Sequence, residues 1–205
     1  MRLFTAVFPP AHVLDHLDLA LHGVGANLTV SDANRGGPRW LPREMQHVTL
    51  AFYADVPEGS VPDLTDELAT LAKEHRPFEL RLRGAGTFSS KVLWIGVDGE
   101  TSALRDLASA CLDASPREIP DELKPHRPHL TVARARAGQV KPPRGRWRRA
   151  QEGPRSELEP AAGALSVYAG PSWRAESFAL VESRMGEGPQ GGPLYTPVEW
   201  FPLGD

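Results

Sequence analysis

Two short stretches repeat one chemical pattern. "QHVTLAFY", residues 46 to 53, and "RPHLTVAR", residues 127 to 134, each set a histidine two positions before a threonine inside an apolar run. Side chains alternate between the two faces of a strand. Val48, Leu50 and Phe52 are therefore expected on one face of the first stretch, with His47 and Thr49 on the other. In the second, Leu130 and Val132 face one way, and His129 and Thr131 the other. Each strand would anchor one face in a core and offer an imidazole and a hydroxyl on the opposite face. One His-x-Thr alone is a weak signal, because short patterns often match by chance. Two copies in the same in–out phase point to paired chemistry. Displacement at phosphorus is in line, so one imidazole can take a proton from the nucleophile while the other gives one to the leaving oxygen. Imidazoles, with ordinary pKa values near ~6.5, suit that exchange. The threonine hydroxyls can donate to the non-bridging oxygens, where transition-state charge sits. A lobe duplicated about a two-fold axis through the phosphorus would arrange these groups symmetrically, with no metal or other cofactor required.

Other candidates fit chemistry less well. His47 and His129 lack a third ligand at metal spacing, and "HRPH" (His126, His129) has no accompanying HExxH-type carboxylate. His126 is placed in the loop entering the second strand. His12, His16, His22 and His75 lie on or beside predicted helices and read as surface or capping groups. Cys111 is the only cysteine, which leaves no disulfide framework and no thiolate cluster. It lies in "LRDLASACLDA", a helical pattern, and is expected to be a small buried apolar residue.

The elements that must hold the two strands can be read from periodicity. "RLFTAVF" alternates as a strand; "AHVLDHLDLALHGV" and "VPDLTDELATLAKEHR" carry leucines at helical spacing; "FELRLRG" and "VLWIGV" read as strands; "ETSALRDLASACLDA" is a third helix. Residues 135 to 160 read as irregular, and "ALSVYAG", "SFALVESR" and "LYTPVEWFPL" as closing strands. Interspersed helices with an excess of strands favour an α+β arrangement of antiparallel sheets over a doubly wound parallel sheet. "LPREM" shortly before the first motif and "IPDEL" before the second suggest two related halves. The 205 residues suit one domain, residues 1–205, with a substantial core. Net charge is −3, so any grip on nucleic acid must come from a local patch. The start "MRLFTAVFPP" is too short and proline-broken for a signal peptide, and no run approaches the ~20 apolar residues of a membrane span. The expectation is a cytoplasmic monomer that does not engage membranes.

The pair "HVTL" and "HLTV" resembles the HxTx motifs of the 2H phosphoesterase superfamily. Within it the chain is similar to the RNA 2′,3′-cyclic phosphodiesterases, historically labelled 2′-5′ RNA ligases. "RLFTAVFPP", "RWLPREMQHVTLAFYADV", "GAGTFSSKVLWIGV", "RPHLTVAR", "SFALVESR" and "YTPVEWFPL" extend the likeness over most of the chain. The resemblance implies a bilobal fold: two antiparallel-sheet lobes about a pseudo-two-fold axis, helices on the outer faces and a central cleft. It implies metal-independent hydrolysis of RNA ends carrying a 2′,3′-cyclic phosphate to 2′-phosphomonoesters. Carried onto this chain, His47 is the proton donor to the departing 3′ oxygen, His129 the base that activates water, and Thr49 and Thr131 hold phosphate oxygens. The family also uses an arginine five residues after the second histidine, here Arg134. Strict alternation puts Arg134 on the face opposite His129, so it reaches the phosphate only if the strand ends or bulges there. Phe88 is the preferred platform for a base, whereas Trp94, between Leu93 and Ile95, is expected in the core.

"ARARAGQVKPPRGRWRRAQEGPR" interleaves basic residues with Trp147. It reads either as an RNA-gripping loop or as a solvated loop in a chain generally rich in Arg, Gly and Pro. The motifs read only a phosphate. Another cyclic or 2′-5′ linked nucleotide, or a non-catalytic RNA-binding module on the same fold, therefore stays open as an alternative.

Overall fold

The computed structural model describes residues 1–26, 37–115, 127–136, 157–188 and 191–204. The helical periodicities resolve into helices with one buried stripe each. α1 (Ala11–Gly23) buries Val13, Leu17 and Leu21; α2 (Val61–Glu74) buries Leu64, Leu68, Leu71 and Ala72; α3 (Thr101–Asp113) buries Leu104, Leu107 and Cys111. α1 starts directly after Pro9 and Pro10, and α2 carries Pro62 in its first turn, where a missing N–H costs nothing. Cys111 is fully buried, as expected, and burial pushes its thiol up to about 12.

The strands are β1 (Leu3–Val7), β2 (Arg39–Trp40), β3 (Val48–Tyr53), β4 (Phe78–Phe88), β5 (Val92–Gly99), β6 (His129–Arg134), β7 (Ala169–Ala175), β8 (Ser177–Arg184) and β9 (Leu194–Pro202). Every pairing is antiparallel. The order is β7-β4-β5-β6-β3-β1-β8-β9, with β2 added beside β6. This is two four-stranded lobes, β7-β4-β5-β6 and β3-β1-β8-β9, mirrored in order about the β6–β3 junction. One register pair, Val48 with Leu130, makes that junction, and each of these residues directly follows a motif histidine.

The two faces of the curled sheet differ. Its main core draws on α1, α2, α3 and a short α4 (Leu158–Ala164), together with sheet residues such as Val48, Leu50, Leu93, Ile95, Leu130 and Val132. Burying each such leucine stabilises by roughly 1.5–3 kcal/mol. The other face holds a small cluster of Phe4, Ala6, Ala179 and Val181, flanked by Phe8, Phe52 and Tyr195, with no helical residue in it. That face forms the cleft. Among the described residues no helix is long and apolar enough to cross a membrane.

Three local expectations change. β3 starts at Val48, so His47 stands just ahead of the strand, after a 3-10 turn over Arg43–Met45. Within the stretch expected to be irregular, Leu158–Ala164 is helical. In "ALSVYAG", Leu165–Val167 is a 3-10 turn and the strand begins only at Ala169. Apolar residues too few to set a period left both unreadable. "IPDEL", His126 and the arginine-rich stretch beyond Arg136 lie outside the described residues.

Candidate active site

Antiparallel continuation from the Val48–Leu130 pair sets His47 across from Thr131 and Thr49 across from His129. Val48, Leu50, Leu130 and Val132 are fully buried in the core, which turns the intervening side chains to the cleft. His47, Thr49, His129 and Thr131 all line one cavity of about 230 Å³. The other walls are Phe4, Leu41, Met45, Phe52, Arg134, Ser183 and Tyr195.

Arg134 reaches this cavity through a bulge. Trp94 on β5 pairs with Thr131 and Leu93 with Ala133, which leaves Val132 as an extra residue in β6. The insertion resets the alternation, so Val132 and Ala133 are both buried and Arg134 returns to the side of His129 and Thr131. The Leu41 N–H caps the Val132 carbonyl at 2.8 Å. β3 does the same. Thr5 and Ala6 on β1 pair with Ala51 and Thr49, leaving Leu50 extra, and the buried Thr5 Oγ1 accepts from the Ala51 N–H at 3.2 Å. Phe52 is therefore not on the face of Val48 and Leu50, as strict alternation expects. It lines the cavity and is the positional counterpart of Arg134 in the other lobe. Arg2 lies over its ring, 5.2 Å from the centroid.

The histidines sit in unlike surroundings. His47 stacks on Phe4, with centroids 4.7 Å apart, and meets Tyr195 and Phe8 at 5.4 and 5.7 Å. Burial holds its pKa down to about 4; the Met45 carbonyl opposes that shift, and His129 and Arg134 add to it. Among the described residues its buried Nδ1 has no hydrogen-bond partner. His129 is half-buried, and its Nδ1–H donates to the Arg127 carbonyl at 2.8 Å. Burial again lowers its pKa, the Arg127 carbonyl raises it, and Arg134 and Arg127 lower it. That hydrogen bond pins the tautomer and leaves Nε2 as the free lone pair.

Phe88 stands outside the cavity lining but beside it. It is 39% exposed at the tip of the β4–β5 hairpin, edge-on to His129 at 4.9 Å. Ser89 and Ser90, both at positive φ, lead with Lys91 through a three-residue connection in which the Lys91 N–H donates to the Phe88 carbonyl at 2.8 Å, and the Ser90 hydroxyl donates to Glu159 of α4 at 2.7 Å. Trp94 does not fill the core. As the register partner of Thr131 it shares the cleft face, covered by Phe88 at 5.3 Å and by the Arg127 guanidinium at 4.6 Å. Its indole N–H is buried without a partner. The glycines beneath explain its place: a Cβ on Gly86 would stand 2.4 Å from the indole.

His16, His22 and His75 behave as capping and surface groups. Nδ1–H of His22 and of His75 donates to a carbonyl four residues earlier, and His16 contacts the Tyr168 hydroxyl. Among the described residues no three His, Cys, Asp or Glu side chains gather as a metal site would require. Tyr195, Phe4 and Ser183 were not legible as site residues. No spacing links them to the motifs, and only sheet pairing brings them to the cleft.

Known proteins match this arrangement. The family model described as the 2′-5′ RNA ligase superfamily matches residues 23–165. A Thermus thermophilus protein named RNA 2′,3′-cyclic phosphodiesterase is 31% identical over 212 residues, spanning 99% of this chain and 90% of its own. A Methanothermobacter thermautotrophicus protein of the same name is 30% identical, spanning 99% of both chains. The crystal structure of TT0787 from Thermus thermophilus superposes with a TM-score of 0.68 at 29% identity over the full length of both. E. coli LigT complexed with phosphate, at 21% identity and a TM-score of 0.66, shares the fold over 100% of this chain and 98% of its own. With a bilobal sheet that carries one His-x-Thr pair in each half, and with relatives of this extent, the chain belongs to the 2′-5′ RNA ligase superfamily, the 2H phosphoesterases.

Proposed function

We infer that the protein is an RNA 2′,3′-cyclic phosphodiesterase that opens the cyclic ester to a 2′-phosphomonoester, using His47 and His129 as its proton-transfer pair. The observation that carries this reading is the convergence of two His-x-Thr pairs, one from each lobe, on a single cavity. The names of the relatives supply the substrate class.

The chemistry follows from the contacts. The cyclic phosphate sits between the imidazoles, with its non-bridging oxygens toward the hydroxyls of Thr49 and Thr131 and the guanidinium of Arg134. Nε2 of His129, tautomerically pinned by the Arg127 carbonyl, takes a proton from water as that oxygen bonds to phosphorus. On the opposite side the P–O3′ bond breaks, and His47 protonates the departing oxygen. The free site holds His47 neutral at pH 7, so the proton must enter together with the anionic phosphate. The Met45 carbonyl, which favours the charged ring, supports the protonated His47. The terminal base stacks on Phe88 over Trp94, worth about 1–3 kcal/mol per base.

Acid, base and anion stabilisation all come from side chains, so turnover in excess EDTA is expected. The test is an oligonucleotide ending in a 2′,3′-cyclic phosphate. A 2′-phosphate product in EDTA supports the reading. Unchanged substrate, or activity lost on chelation, contradicts it. His47→Ala and His129→Ala should each lower kcat by about 10²–10⁴-fold, the range for a positioned acid or base. His16→Ala, on the helical surface, should leave it within about twofold. Near-normal turnover by either motif variant refutes the paired mechanism.

A further inference from the structure

At the rim of the cleft two like charges face each other. Arg39 of β2 and Arg134 of β6 are direct register partners. Side chains directly opposite in an antiparallel pair project from the same face, and like charges there are destabilising. Since Arg134 lines the cavity, Arg39 stands beside it on the cleft face. Among the described residues neither guanidinium has a carboxylate partner, in contrast to Arg43 with Asp15 and Asp18, or Arg81 and Arg83 with Asp98. Arg39 is half-buried, and burial, then Arg134, then Arg136 lower its pKa. Tyr195, on the cavity wall, feels Arg134, Arg39 and Arg2 together.

β2 has only this partner strand and only two residues, so its pairing builds little core. Arg136 fixes the adjoining segment by donating from Nε to the Gly37 carbonyl at 3.0 Å. The fold thus holds two guanidiniums together with no carboxylate partner among the described residues, displaced along β6 from the hydroxyl of Thr131. The missing component of such an arrangement is an anion. A guanidinium pair matches the planar, two-oxygen face of a phosphate, with two parallel N–H donors from each.

We propose that Arg39, with Arg134 bridging between it and the cyclic phosphate, forms a second phosphate subsite, which takes the phosphodiester on the 5′ side of the terminal nucleotide while the cyclic phosphate lies between the histidines. Arg39 is then a specificity-determining residue: it favours a polynucleotide end over a lone nucleoside cyclic phosphate. The assignment rests on the cyclic phosphodiesterase reading for the identity of the first phosphate.

The test compares ligands with and without the second phosphate. In kinetics the pair is cytidine 2′,3′-cyclic phosphate and the same nucleotide carrying a 5′-phosphate. In calorimetry the pair is cytidine 2′-phosphate and cytidine 2′,5′-bisphosphate. The wild-type protein is expected to favour the 5′-phosphorylated member of each pair by about tenfold or more at low salt, as for charge-assisted hydrogen bonds. That preference should shrink as ionic strength rises. Arg39→Gln should bring both ratios to near one, and Arg39→Lys should restore part of them. The melting temperature of ligand-free Arg39→Gln should equal or exceed that of wild type, because a like-charge contact is relieved. Ratios near one in wild type, or a preference that survives in Arg39→Gln, overturn the subsite. A binding preference without turnover of either cyclic nucleotide upholds the subsite and refutes the hydrolase reading instead.

Discussion

At His47 the imidazole is packed between aromatic rings, and burial holds its pKa near 4; at His129 the shift has the same direction, with a backbone carbonyl opposing it. Both rings are therefore neutral in the free protein at pH 7, whereas the proposed mechanism leaves only one of them neutral in the reacting complex. The consequence is a specific pH dependence. Under the proposed mechanism kcat/KM of the free enzyme requires one protonated and one neutral imidazole, and so follows a bell. Its acid limb should lie near 4 and its alkaline limb below the ordinary 6.5 of histidine, with the maximum on the acid side of neutrality. In the substrate complex the bound phosphate anion favours both charged forms, so the kcat profile should move to higher pH. Rates measured from pH 4 to 9 under both regimes check this. A kcat/KM that climbs to a plateau above pH 7 would contradict it. That these two residues share the cleft face was legible because alternation exposes them in a short window. Their unequal environments were not, since Phe4, Phe8 and Tyr195 arrive from β1 and β9.

The strands decide what each side chain faces. Strict alternation accounts for His47, Thr49, His129 and Thr131, but it fails at Phe52 and Arg134 for one reason: each motif strand carries one extra residue, Leu50 or Val132. A bulge is a property of a pair of strands, set by which residue of the neighbour lies opposite. A single stretch such as "HLTVAR" therefore cannot reveal it. Trp94 was misread for a related reason. "VLWIGV" is apolar on both faces, and only the glycines of the neighbouring strand show on which side the indole lies. Gly86 is the check on that placement. Gly86→Ala puts a methyl 2.4 Å from the Trp94 ring, which must shift. Overpacking of this kind typically costs ~1–3 kcal/mol. It should appear in urea denaturation, with a raised KM for RNA as the surface under Phe88 tilts. Wild-type stability and KM in this variant would show that Trp94 has no part in the platform.

Across the whole molecule, the mirrored strand order explains why two copies of one motif meet. Each lobe contributes its motif strand to the junction, and the residues after the histidines, Val48 and Leu130, are the pair that joins them. The α+β class and the antiparallel sheets could be read from periodicity, whereas the two lobes with helices on their outer faces were implied by the family resemblance. The junction could not, because it depends on two segments far apart in the chain. The proposed joint action of the two imidazoles on one phosphate has a direct test. Imidazole resonances should be followed by NMR while cytidine 2′-phosphate is added to the protein. His47 and His129 are expected to titrate together, saturating at one equivalent with both pKa values raised, while His12, His16, His22 and His75 stay unchanged. A response from only one of the pair, or saturation of the two rings at separate equivalents, would contradict a shared phosphorus.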